Sequence, residues 1–303
     1  MVLIRTSVLA GTFLLIPQIS IAAPVVFSAI GPDAASIQDE VDRFRDALGE
    51  LNPNEPENFA GGRRQINWDA APDVISDPNA FPGDFFNGDS APRARGIEFR
   101  PTVNEDLGRG QESADGFQLS STEASGEPIR FGFEDDLDVF SSERLFAPTG
   151  GTVFDVLFFD PFDQTGPAAV SGLGIVFNNV ASSLKDSSQS NTFVNFFTEE
   201  QDMATDTAAY SFAAEQSSGL SFLGVLFDEP IIAGATVYAG LIPFDEAKYG
   251  SDVVAMDDFI FGEPTVAPVP IPASALMLGS TLFFGGGAAM RRNRRRTHLN
   301  QGG

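Results

Sequence analysis

The chain has 303 residues, with 18 Lys and Arg against 42 Asp and Glu, 29 Phe, a single His and no Cys. The lack of Cys excludes disulfides and thiol chemistry, and the lone histidine, His298, lies near the C-terminus, so the body has no Ser-His or Cys-His nucleophile and no His/Cys zinc site. Six bases, Arg5, Arg291, Arg292, Arg294, Arg295 and Arg296, sit at the two ends, and the remainder sets 12 bases against 42 acids, which excludes nucleic acid and anionic lipid as partners of the body.

Residues 1–22 read as a secretory signal peptide, with signal peptidase as the partner that removes it. Arg5 charges the start, residues 7–16 are apolar, Pro17 breaks the run, and Ser20 and Ala22 place small residues before a cut after Ala22 or Ala23. The apolar run is too short to cross a hydrocarbon core of ~30 Å. Residues 23–62 read as a lead-in helix and linker. Asp33 is the expected N-cap, and Ile37, Val41, Phe44 and Leu48 fall on one helical face. Gly49 ends this helix, which is expected to pack at the domain edge. Two prolines mark residues 52–62 as a loop.

Residues 63–264 read as one β-sandwich domain. Short runs rich in Phe, Val, Ile and Thr recur between Gly, Pro, Asp, Asn and Ser. The predicted strands are 65–68, 96–99, 116–119, 129–133, 152–159, 169–177, 192–197, 208–213, 220–227, 235–241 and 253–261. No helical stretch separates them, so the expected fold class is all-β, an antiparallel jelly-roll-like sandwich. Residues 220–227 are apolar on both faces and predict an interior strand. Trp68 is expected in the core rather than stacked on a sugar, and Arg63-Arg64 to pair acids on a neighbouring strand.

Three acidic clusters could supply the oxygens that calcium requires. They are Glu134-Asp135-Asp136-Leu137-Asp138, Asp160-Pro161-Phe162-Asp163, and Asp252 with Asp257 and Asp258. For the first two, the alternative is a solvated turn whose Asp residues cap their own backbone. Asp257-Asp258 lies inside an apolar run, where alternation sends one acid inward. A buried carboxylate needs a metal, an Arg or backbone N–H groups beside it. Asp252, Asp257 and Asp258 are therefore the candidate calcium ligands. Met256-Asp257-Asp258-Phe259-Ile260 resembles the closing strand of galactose-binding-like jelly rolls, which implies a structural calcium nearby.

The C-terminal residues 265–303 have three parts after a short linker, Thr265 to Pro268. Val269-Pro270-Ile271-Pro272-Ala273 is a proline-bearing motif, residues 274–290 are apolar and uncharged, and Arg291, Arg292, Arg294, Arg295 and Arg296 form a basic stop. This order predicts a C-terminal transmembrane helix with the body outside and the arginines inside. It resembles the PEP-CTERM class of sorting signals in its VPLPA-type variant, with Ile271 in place of Leu. That resemblance implies recognition by an exosortase, inner-membrane anchoring before processing, and then delivery to the cell surface or outside the cell. The segments I-N-W-D, G-L-S-F-L-G-V and M-D-D-F resemble uncharacterised exported bacterial β-sandwich proteins and imply no activity. The body is expected to be non-catalytic and to bind extracellular polysaccharide. Two alternatives stay open: a carbohydrate-active enzyme with paired carboxylates, and a purely structural surface component.

Overall fold

Val25–Gly31 forms strand β1 and Ala34–Leu48 forms helix α1. The computed structural model describes residues 23–104, 107, 111–180, 190–246 and 253–266. The expected signal peptide, sorting motif, apolar run and arginine cluster lie outside the described residues, as does Asp252. The Asp33 side chain accepts from Ser36 N at 2.9 Å and starts α1. Gly49 ends it at φ 103°, a backbone that side chains resist. Ile37, Val41, Phe44 and Leu48 are buried. They cover the face of a sheet that points away from the shared core, against Phe27, Val176, Leu220, Phe222 and Ile260. The lead-in thus supplies a strand and a helix to the body.

The later strands are β2 (Arg63–Ile66), β3 (Ile97–Pro101), β4 (Gly116–Leu119), β5 (Phe146–Thr149), β6 (Val153–Phe158), β7 (Ala168–Ala169) and β8 (Gly172–Val180). Then come β9 (Thr192–Phe197), β10 (Tyr210–Ala213), β11 (Ser217–Leu226), β12 (Gly234–Ala239), β13 (Ala255–Gly262) and β14 (Thr265–Val266). The protein is mostly β, built of antiparallel sheets. One sheet runs β1-β11-β8-β13-β5-β4 with β2 also on β13, a second runs β10-β9-β12-β6-β3, and β14 pairs with β7. The two larger sheets share a core, an arrangement consistent with a sandwich. Rings from opposite sheets meet at Phe99–Phe259 (5.2 Å), Phe146–Phe154 (5.7 Å) and Phe158–Phe261 (5.7 Å). β11 is covered on both faces, with Leu220 and Phe222 toward α1 and Leu223 and Val225 in the shared core.

Trp68 is fully buried in that core. Phe146 stacks on it at 4.5 Å, and Phe81, Phe86, Phe99 and Phe259 surround it. Its indole N–H donates to the Asp257 carbonyl. Arg64 does pair an acid beyond the neighbouring strand: its Nε and Nη2 reach the two Glu263 oxygens at 2.7 and 2.8 Å, with both side chains at or below 1% exposure.

Residues 129–133 are not a strand. Arg130 and Phe131 take left-handed backbone (φ 47° and 57°) in a short 3-10 turn. Their alternation instead serves a satellite cluster in which Phe131 and Phe133 pack on Phe244 at 4.3 and 5.5 Å. Three strands escaped the sequence pattern. β5 carries Pro148, which disguises it. β14 is two residues long and occupies the expected linker, and β1 follows the signal-like segment directly.

Close approach dictates two glycines. Gly174 and Gly224 face each other across β8 and β11. The Phe44 ring lies so near that a Cβ on Gly174 or Gly224 would sit 2.5 or 2.9 Å from it. The pair makes a flat seat for α1 on the sheet.

Candidate functional site

The Asp257-Asp258 step in β13 departs from strand alternation. Met256 pairs with Phe177 and Phe259 with Ile175, so three steps on β13 match two on β8. The extra residue is a β-bulge, which lets neighbouring side chains share a direction. Both carboxyl groups reach Ser141, whose hydroxyl lies 2.8 Å from each. Asp257 also accepts from the backbone N–H groups of Phe140 (2.6 Å) and Ser141 (3.2 Å). Asp258 accepts from Arg45 of α1 at 2.8 Å, and Arg45 lies over the Phe140 ring at 5.6 Å. Strand, helix and the loop before β5 therefore meet at two acids that are 0% and 1% exposed.

The electrostatics follow from the count of charges. One guanidinium faces two carboxyl groups. Burial, and then the Asp258 charge, push Asp257 well above the ordinary carboxylate range. Burial also raises Asp258, against the pull of Ser141 and Arg45. The arrangement favours a neutral Asp257 beside a charged Asp258, with the single Ser141 hydroxyl linking them. Asp258→Asn should then cost about 1–3 kcal/mol, since it leaves Arg45 without its inner partner. Asp257→Asn mimics the neutral acid and should cost under ~1 kcal/mol. Urea midpoints in the opposite order would contradict this assignment.

Asp69 stands close by. Its carboxylate accepts from Arg144 N and Asn67 Nδ2, both at 3.2 Å. Burial first, then the charges of Asp258 and Glu143, push it up to about 6. A raised carboxyl binds its proton more tightly folded than unfolded. Its stabilising share is complete at pH below ~4 and is lost as pH rises to ~6. After allowance for solvent screening of this partly exposed group, the loss is about 1 kcal/mol. Asp69→Asn should therefore gain on the native chain between those pH values in paired thermal melts. A constant difference between the two would refute the shift.

The structure brings Asp257 and Asp258 together, with the backbone N–H groups of Phe140 and Ser141 and the Arg45 guanidinium as donors and the one Ser141 hydroxyl proton lying between the two carboxyl groups. Arg45 and the backbone N–H groups of Phe140 and Ser141 supply the compensation that the buried pair needs, and Asp252, the third candidate calcium ligand, lies outside the described residues. Among the described residues no group of three or more metal-ligating side chains assembles. The Asp160–Asp163 turn caps itself: Asp160 accepts from Phe162 N at 2.8 Å, and Asp163 from Thr165 N and Gly166 N at 2.9 and 2.7 Å. Those backbone bonds hold Asp163 below the usual range. In the first cluster, Asp138 exchanges backbone bonds with the Asn178 side chain of β8.

Sequence reasoning missed Ser141, Arg45 and Asp69. Arg45 did leave a signal. It lies four residues after Val41 and three before Leu48, so a cation borders the apolar stripe of α1. Ser141 and Asp69 left none, because loops set their positions. Comparison of the chain with family models, with curated proteins and with solved structures finds no match.

Proposed function

We propose that this chain is an exported, exosortase-sorted surface or matrix protein whose β body is non-catalytic and binds extracellular polysaccharide. The observation that carries the reading is the ordered C-terminal end: the motif Val269 to Ala273, an apolar run and an arginine stop, behind a signal-like N-terminus. A jelly-roll-like body is supported by the way successive strands change sheets, with β8, β11 and β13 in one and β9 and β12 in the other. A non-catalytic body is supported by the lack of any His or Cys in residues 23–264, which leaves no Ser-His or Cys-His nucleophile.

Expression of the full chain in a host with and without an exosortase tests the sorting half. The expected result is a body that loses its tail only when the enzyme is present. Replacement of Pro270 and Pro272 by alanine should keep the tail on. Identical products in both hosts would overturn the reading. Retention on polysaccharide columns tests the binding half, and turnover of a polysaccharide by the purified chain would overturn the non-catalytic half.

A further inference from the structure

β1 ends the larger sheet. Among the described residues it pairs only with β11, and no described strand covers its other edge. Its sequence, VVFSAIG, carries no charge. Val25, Val26 and Ile30 are 53, 44 and 45% exposed, and these three are among only eight exposed large hydrophobic residues described. Single apolar side chains on a surface are ordinary, but three on one open edge form a template for another strand. β3, at an edge of the other sheet, is blocked by Glu98, Arg100 and Pro101.

We propose that β1 pairs with β1 of a second copy of this chain, antiparallel about Ser28, joining the two larger sheets into one. A row of exposed edge N–H and C=O groups is a ready template for another strand. Antiparallel pairing of one strand with itself closes a twofold. Centred on Ser28, it sets Val26 opposite Ile30 of the second copy, and Phe27 opposite Ala29. A basic partner would be drawn to the acid excess of the body, not to this uncharged strand. The contact is independent of how the chain is delivered. Seven residues per copy bury less than the ~1,000 Å² of a stable interface, so association is weak and needs high local concentration. Glu215, bonded to Ser28 at 2.5 Å, flanks the axis in both copies. Salt therefore strengthens the contact by screening acid against acid.

The chain has no cysteine, which makes the test direct. Residues facing each other in an antiparallel pair have Cα atoms about 4.5–5.5 Å apart, within disulfide range. Ser28→Cys in the full chain should give a disulfide dimer about tenfold faster than Ser211→Cys on β10, the open edge of the other sheet. Adding Val26→Lys should abolish the excess while circular dichroism stays native. Sedimentation of the native chain should show more dimer at about 0.5 M salt than at about 0.05 M. A Ser28→Cys rate equal to the control, or one untouched by Val26→Lys, would overturn the proposal.

Discussion

Replacing Arg64 with methionine is expected to cost the fold about 3–5 kcal/mol, because it leaves a buried carboxylate without its cation. Glu263 is enclosed, and among the described residues it meets, besides Arg64, two neutral donors, Asn52 Nδ2 at 2.9 Å and the more distant Phe59 N. Neither supplies charge. The double variant Arg64→Met with Glu263→Met removes both charges and should regain about half of that loss. Full recovery is not expected, since Arg64 also donates to the carbonyls of Ala94 and Glu57. Urea unfolding of the two single variants and the double variant closes the cycle. A single variant within about 1 kcal/mol of the native chain would show that water reaches the pair.

Trp68→Ala should be as damaging, at about 3–5 kcal/mol. It removes the largest side chain from the shared core and opens a void among five phenylalanine rings. Trp68→Phe keeps most of the volume but loses the indole N–H that meets the Asp257 carbonyl, and should cost about 1–3 kcal/mol. As the sole Trp, residue 68 also reports its own surroundings. Its emission should be that of a ring shielded from water until the chain unfolds. Emission typical of a hydrated indole in the native chain would contradict the enclosed site, as would an alanine variant with native stability.

Local pattern served where one force dominated. The stripe Ile37, Val41, Phe44 and Leu48 is buried, because a helix with one apolar face has one way to lie on a sheet. Runs such as 116–119 and 192–197 are strands at the predicted bounds. The alternation in residues 129–133 misled because a turn can present Phe131 and Phe133 to Phe244 as well as a strand can. At the candidate site, the sequence marked Asp257-Asp258 as an expense needing compensation, and left open who supplies it. The answer lies in residues over 100 positions away, Ser141 and Arg45, which no local spacing connects. The bulge that turns both acids the same way is likewise set by pairing with β8, not by β13 alone.

The pairing of β1 with β11 has a consequence for the order of events in time. Val25 lies against Leu226, and Arg45 reaches Asp258 across 213 positions. Among the described residues the first strand thus has no ladder partner until β11 exists, and α1 has no seat until β8, β11 and β13 are in place. Contacts over such separations close slowly. The N-terminal part therefore lacks its long-range partners until the later strands exist.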